Sequence, residues 1–369
     1  MDIILTGGGT AGHVSPALAI AEEILDNDPK SRILFIGREG GGENAAVLKA
    51  GLELKTLNIQ GIKRKLTLDN ARRIYHALRA RREAKSIIRE FKPDVILGTG
   101  GYVCWPVIRA GAKLGIPTAI HESNITPGLT TRLLSTKCKR VFLNHEDTKK
   151  YLSQRANTLT VGNPLRKDFK KIKRNDARRT LGIKEDEIFI LSFGGSIGAE
   201  KLNEVVLEVM QSYSLSDKKI RHIHATGKRY FDSVKNTPLA RGERGCKVLP
   251  YIDNMPTMLS AADIVISRAG AMTISEISAV GVASILVPSP NVSDNHQLKN
   301  AQKLKEVGAA LMIEEKNLTV ESLKNSINDL KNDENGRKNR AKRILGFSSP
   351  DAQKRIVKEL KSVIFDDKM

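Results

Sequence analysis

Four times along this chain a short apolar strand breaks into glycines and restarts as a helix, and this repetition limits the fold more than any other feature. The first copy is Met1-Asp-Ile-Ile-Leu-Thr6, then Gly7-Gly8-Gly9-Thr10-Ala11-Gly12-His13, then Val14-Ser15-Pro16 and a run of helix formers. The second joins the strand 93–97 to Gly98-Thr-Gly-Gly101, the third joins 188–192 to Phe193-Gly-Gly-Ser-Ile-Gly198, and the fourth joins 263–267 to Gly270. A strand turning on glycine into a helix brings backbone amides and a helix N-terminus close to a phosphate-bearing ligand. Strands are also read at 31–37, 116–120, 141–143 and 282–287, with a strand-like run around His222 and His224. Strands alternating with helices predict parallel sheets.

The first and third copies align: Gly8, Gly9, Thr10 and Gly12 match Gly194, Gly195, Ser196 and Gly198 in order and spacing. A repeat at half-chain distance in 369 residues, more than one core usually supports, predicts two similar doubly wound α/β domains. Val161-Gly-Asn-Pro-Leu-Arg166 and the polar, basic stretch after it mark the boundary, giving domains 1–163 and 164–345. Ala352, Ile356, Val357, Leu360 and Ile364 share one helical face, so the segment 346–369 is expected to pack back on the first domain. Ser15 and Pro16, a cap residue before the position where proline is welcome, predict the start of the first helix.

With 40% hydrophobic and 28% charged residues the chain reads as globular, not disordered. Its net charge of +20 calls for a polyanionic partner: nucleic acid, an anionic membrane surface or a phosphorylated substrate. Aromatics at 4% give no stacking platforms and no nucleic-acid motif is present, so nucleic acid is not expected as a partner. Cys104, Cys138 and Cys246 have no metal spacing and are too few for a disulfide framework, which fits a reducing cytoplasm. No secretory signal precedes the first strand, and no apolar run approaches the roughly 18 residues of a spanning helix, so membrane contact would be peripheral. Between 61 and 92, Lys63, Arg64, Lys65, Arg72, Arg73, Arg79, Arg81, Arg82, Lys85, Arg89 and Lys92 interleave with aliphatics. Such a stretch suits either an anionic lipid surface or a solvated helix face.

Gly7, Gly9 and Gly12 satisfy G-x-G-x-x-G, but a dehydrogenase would also want an acidic residue closing the second strand, and that strand ends in Gly37-Arg38-Glu39. His13 is the candidate base: an imidazole titrating at about 6.5 suits proton transfer beside a ligand-facing loop, and the bland alternative is a helix-start residue bonding backbone. His222 and His224 project together without a third ligand and read as structural. Asp26-Asn-Asp28 reads as an ordinary polar helix end, not a metal site.

Seven ordered motifs resemble those of MurG-type transferases: Gly7-Gly-Gly-Thr-Ala-Gly-His-Val14, Gly100-Gly-Tyr-Val103, His121-Glu-Ser-Asn124, Gly162-Asn-Pro-Leu-Arg166, Gly194-Gly-Ser-Ile-Gly-Ala199, Arg268-Ala-Gly-Ala-Met-Thr-Ile-Ser-Glu276 and Asp294-Asn-His-Gln297. The resemblance implies the GT-B architecture, two facing Rossmann-like doubly wound parallel-sheet domains with the active site in the cleft. It implies inverting transfer of N-acetylglucosamine from UDP-GlcNAc to the C4 hydroxyl of MurNAc in undecaprenyl-pyrophosphoryl-MurNAc-pentapeptide, converting lipid I to lipid II in peptidoglycan biosynthesis. The protein would lie peripherally on the anionic cytoplasmic membrane surface, with cell-wall and division proteins as partners and no cofactor or metal. The first domain would take the acceptor and the second UDP-GlcNAc.

By motif match, His13 would deprotonate the acceptor hydroxyl or orient it. Thr10, Ala11, Gly12 and Asn124 would reach the transferred sugar and the acceptor diphosphate. Ser196 and Arg166 would contact donor phosphate, and Ile252 would offer backbone to the uracil. Ala271, Met272, Thr273, Ile274 and Ser275 would line the nucleotide site through backbone groups. Glu276 would take the ribose hydroxyls, and Gln297, with His296, would read the sugar hydroxyls. Two departures from the pattern, Ile197 and Ser123 where glutamines are common, remove amide hydrogen bonds from the donor contacts. A UDP-sugar epimerase of similar architecture is the rival enzyme reading.

Overall fold

The computed structural model describes residues 1–42, 44–61, 68–213 and 219–368, so Lys63, Arg64 and Lys65 lie outside the described residues, as do the side chains of Ala11 and Arg72. The chain divides into two compact units: Met1–Arg166 with Ser349–Met369, and Lys167–Ser348. Each unit is built on one parallel sheet. No helix among the described residues is long and apolar enough to cross a membrane.

The first unit contains β1 (Asp2–Thr6), β2 (Arg32–Arg38), β3 (Glu53–Leu57), β4 (Val95–Gly98), β5 (Thr118–Glu122), β6 (Arg140–Leu143) and β7 (Thr158–Thr160), in the order β3-β2-β1-β4-β5-β6-β7. β1 lies in register between two neighbours, with Ile4 opposite both Leu34 and Ile96. Strand alternation sends successive side chains to opposite faces. Ile3, Leu5, Phe35 and Leu97 enter a core covered by the helices Ala11–Asn27 and Ala352–Lys368. Ile4, Ile36, Ile96 and Ile120 enter the opposite core with the helices Leu68–Phe91 and Cys104–Lys113. Both faces being covered, the inner strands are apolar throughout.

The second unit contains β8 (Ile188–Phe193), β9 (Ile220–Ala225), β10 (Cys246–Leu249), β11 (Ile264–Ser267), β12 (Ala283–Leu286) and β13 (Leu311–Met312), in the order β10-β9-β8-β11-β12-β13. Ile190, Ile264, Ile266 and Ile285 pack there with Leu202, Val206 and Val209 of the helix Glu200–Tyr213. In both units strand order reverses beside the first strand, at β1/β4 and at β8/β11. Open parallel sheets bind ligands at such switch points, outside the carboxyl ends of the strands. All four glycine turns sit there.

The first helix begins at Ala11 and not at Ser15, which corrects the capping argument from sequence. Thr10, extended at φ −151°, is the N-cap, and Pro16 lies inside the helix. Proline there removes only the hydrogen bond to the Gly12 carbonyl, a loss near the helix start that packing of Ala17, Ile20, Ala21 and Ile24 offsets. The consequence is functional: His13 belongs to the helix's first turn.

The segment Ser349–Met369 belongs to the first unit. Ile356, Val357 and Leu360 of its helix are buried in the same core as Ile20 and Ile24. Arg355 donates to the Thr160 carbonyl at 2.8 Å, and Arg140 pairs with Glu359 at 3.1 Å.

Candidate functional site

In the first unit the turns after β1 and β4 are locked together. The Gly8 amide donates to the Gly100 carbonyl at 3.3 Å, and the Thr99 amide donates to the Thr6 carbonyl at 2.8 Å. The Thr99 hydroxyl donates to the His13 carbonyl at 2.6 Å. Gly7 makes this approach feasible, because a Cβ there would collide with Thr99 Oγ1 and lie 2.8 Å from the His13 carbonyl oxygen. Gly100, at φ +116°, faces the imidazole of His13 closely enough that a Cβ would stand 2.6 Å from its Cδ2.

His13 Nδ1 lies 2.9 Å from the Gly8 carbonyl and 3.2 Å from Thr10 Oγ1. A carbonyl can only accept, so in the neutral ring Nδ1 carries the proton and Nε2 carries the lone pair. The glycine loop therefore sets the tautomer of its own histidine. Half-buried at the start of a helix, His13 is a base-ready imidazole next to backbone amides suited to anionic oxygen.

Asn124 lies past the carboxyl end of β5, held by Glu122. One carboxylate oxygen accepts from the Asn124 amide at 3.0 Å and its side-chain nitrogen at 3.2 Å. The other accepts from the Gly128 amide at 3.0 Å and the Thr131 hydroxyl at 2.7 Å, at the start of the helix Leu129–Leu134. His121 is buried and donates from Nε2 to the Gly162 carbonyl at 3.0 Å; burial pushes its pKa down. Cys104 is no nucleophile, since burial raises its thiol pKa to about 12.

In the second unit the candidate residues gather at the carboxyl ends of neighbouring parallel strands. Ser196 is exposed in the turn after β8, beside Ile197, which is 67% exposed. Ile252 follows β10 and is buried. Ala271, Met272, Thr273, Ile274, Ser275 and Glu276 form the first turns of the helix Ala271–Val280, whose N-cap is Gly270. Gln297 opens the helix His296–Glu306 behind Asp294 and Asn295, both left-handed at φ 55° and 49°. Its Oε1 accepts from the Ser289 amide at 2.9 Å, so its carbonyl side is engaged within the protein and its amide hydrogens are the donors available to a ligand. Arg166 is exposed and ends the first unit's long segment.

Sequence reasoning did not single out Thr99, Glu122 or Arg268 for roles of their own. Arg268 pairs with Glu315 and donates to the Val287 carbonyl at 3.2 Å, tying the ends of β11 and β12 together. Their signal was position: each lies at the carboxyl end of a parallel strand, inside a motif.

Comparison with known proteins gives two matching family models: the glycosyltransferase family 28 N-terminal domain over residues 3–143 and the glycosyltransferase family 28 C-terminal domain over residues 189–356. A UDP-N-acetylglucosamine–N-acetylmuramyl-(pentapeptide) pyrophosphoryl-undecaprenol N-acetylglucosamine transferase from Thermoanaerobacter sp. (strain X514) is 42% identical, over 98% of this chain and 100% of that protein. The crystal structure of Acinetobacter baumannii MurG superposes with a TM-score of 0.74 at 27% identity, covering 98% of this chain and 99% of that one. A putative UDP-N-acetylglucosamine 2-epimerase from Listeria monocytogenes superposes with a TM-score of 0.69 at 15% identity, over 97% and 94% of the chains, and shares the fold alone.

Proposed function

The chain belongs to glycosyltransferase family 28, with the GT-B fold, and we infer that it catalyses the reaction of its relatives: transfer of N-acetylglucosamine from UDP-GlcNAc to N-acetylmuramyl-(pentapeptide) pyrophosphoryl-undecaprenol. This is the step from lipid I to lipid II in peptidoglycan synthesis. The single observation that carries our mechanism is the bond from His13 Nδ1 to the Gly8 carbonyl, which leaves Nε2 unprotonated. His13 takes the proton of the acceptor's C4 hydroxyl as that oxygen attacks the anomeric carbon of the donor sugar. The bond to UDP breaks on the opposite face, so the configuration inverts. The imidazolium formed keeps its Nδ1 bond to Gly8, and no ring rotation is needed.

The departing UDP carries away the bonding electron pair as negative charge on its diphosphate. In our reading the exposed Ser196 turn and the helix N-termini that follow β8 and β11 receive it, with Arg166 adding a cation. Ile252 backbone meets the uracil, the first turn at Ala271–Ser275 lines the nucleotide, Glu276 accepts from the ribose hydroxyls, and Gln297 donates its amide hydrogens to the sugar. On the acceptor side, Thr10, Ala11, Gly12 and Asn124 surround the histidine's target.

A lipid-linked acceptor brings the enzyme to a membrane surface, and we assign that contact to one face of the first unit. Exposed Tyr75 and Leu78 stand with Arg79 and Arg82 on the helix Leu68–Phe91, and exposed Leu129 and Leu133 with Arg132 on Leu129–Leu134. Exposed apolar side chains and arginines on the same helix suit the boundary of anionic lipid. The test of the whole reading is an assay of UDP release from UDP-GlcNAc with and without lipid I. Release that depends on lipid I supports transfer; release without it, or interconversion of the sugar to its 2-epimer, overturns it.

A further inference from the structure

A chain of one-way hydrogen bonds crosses the interior of the second unit and ends under its glycine turn. His222 and His224 of β9 are both fully buried, and the hydroxyl of Ser192 on β8 lies 2.7 Å from His222 Nε2 and 2.8 Å from His224 Nδ1. His224 Nε2 is 3.2 Å from Asn203 Oδ1, and Asn203 Nδ2 donates to the Thr226 carbonyl at 2.9 Å.

Every direction in this chain is fixed by its far end. The Thr226 carbonyl can only accept, so Asn203 presents Nδ2 to it and Oδ1 to His224. His224 Nε2 must then carry the proton and Nδ1 the lone pair. Ser192 has one proton and gives it to that lone pair, so it accepts from His222 Nε2. Burial keeps both rings neutral: the pKa of His224 falls to about 4, and that of His222 falls well below its ordinary value.

The end point lies beneath the loop. A Cβ on Gly198 would collide with the Thr226 carbonyl oxygen, and a Cβ on Gly227 would stand 2.6 Å from the Gly198 amide nitrogen. The Thr226–Gly227 peptide is thus the floor on which the turn Gly194–Gly198 rests. Asn203 is also in the first turn of the helix that follows that turn, its amide bonded to the Ala199 carbonyl at 2.8 Å.

We propose that Ser192, His222, His224 and Asn203 are positioning residues for nucleotide diphosphate binding, a directed hydrogen-bond chain that holds the Thr226 carbonyl and through it the glycine turn. The inference rests on our placing of the donor diphosphate at Ser196. In this reading no member touches the ligand, and each acts through the next. A hydrogen-bonded polar network inside an apolar core is rigid, which suits it to fixing the Thr226 carbonyl in place.

The test compares Ser192→Thr with Ser192→Val, side chains of one shape that differ in the hydroxyl. Isothermal titration of the folded proteins with UDP is expected to give the wild-type dissociation constant for Thr within about 2-fold, and one raised about 5- to 10-fold for Val, as for loss of one ordered hydrogen bond. With UDP-GlcNAc and saturating acceptor, the donor KM should rise in Val with kcat nearly unchanged. Equal affinity of the two variants, or a fall in kcat at unchanged KM, overturns the proposal. Should Ser192→Val fail to fold, nitrogen-15 NMR of the wild-type histidines decides: UDP should shift His224 Nε2, and an unmoved resonance overturns it. A wild-type protein that binds no UDP at all refutes the donor-site reading instead, so the two failures are distinguishable.

Discussion

Thr99 Oγ1 and the carbonyl of His13, 86 residues apart in sequence, meet at 2.6 Å, and the contact exists because Gly7 has no side chain to block it. The β4 turn therefore holds the backbone of the candidate base while the β1 turn holds its ring. Gly7→Ala must push Thr99 or His13 aside. A displacement near 1 Å at a reacting group costs about 100-fold in rate, so kcat for sugar transfer is expected to fall by about that factor with UDP affinity unchanged. Steady-state kinetics beside UDP titration checks this, and a variant with normal kcat removes the contact from the mechanism.

His13→Ala is expected to lower kcat by about 10²- to 10⁴-fold, the usual contribution of a positioned general base. UDP affinity should remain as in the wild type, because the nucleotide contacts we assign, apart from Arg166, lie in the second unit. The measurement is turnover with lipid I beside UDP titration, and a variant with normal kcat would take the proton transfer away from His13.

Stability of the second unit should fall with acid. His224 binds a proton in the folded state only near pH 4, whereas an unfolded histidine binds one at about 6.5. Below about pH 6.5 the unfolded chain takes up protons that the folded one refuses, so stability is full above that pH and declines as pH drops toward 4. His224 alone accounts for up to about 3 kcal/mol by this linkage, and His222 acts in the same direction. Urea unfolding at pH 7.5, 6.0 and 5.0 reads the loss directly; a midpoint independent of pH would contradict the buried neutral pair.

Arg79→Glu with Arg82→Glu should weaken binding to anionic vesicles by at least about 10-fold, at about 1 kcal/mol for each basic residue near the surface. Neutral vesicles should bind both proteins alike. Co-sedimentation with phosphatidylglycerol vesicles supplies the comparison, and unchanged binding would assign the charge to solubility.

Much of this architecture was legible in the sequence, and the strands that were not share a cause. β3, β7, β10 and β13 escaped the sequence reading, and they are the two edges of each sheet. An inner strand such as Ile3-Ile4-Leu5 is buried on both faces and reads as a continuous apolar run. An edge such as Glu53-Leu-Lys-Thr-Leu57 has one side open to solvent and mixes polar residues into a short segment. The helix start was misread for a different reason. Ser15-Pro16 is a good local start signal, but the contacts of His13 with Gly8 in its own loop and with Thr99 after the neighbouring strand accompany a helix that starts at Ala11. The motifs located the glycine turns and His13, yet not what supports them. Thr99 and the Ser192 relay act through partners distant in sequence, which no local pattern reports, and Glu122 acts through a loop whose folding back onto its carboxylate no periodicity reports.

The split make-up of the first unit bears on how the chain is made. Its long segment emerges first, but the face of Ala17, Ile20, Ala21 and Ile24 is closed by Ile356, Val357 and Leu360, which are synthesised only after the entire second unit. During synthesis that core lacks its last helix until the second unit has been made. A truncated product reaching only Arg166 would carry His13 on a helix that has Ile3, Leu5 and Phe35 of the sheet in its core but lacks Ile356, Val357 and Leu360. The core of the first unit is thus completed last although most of it is translated first.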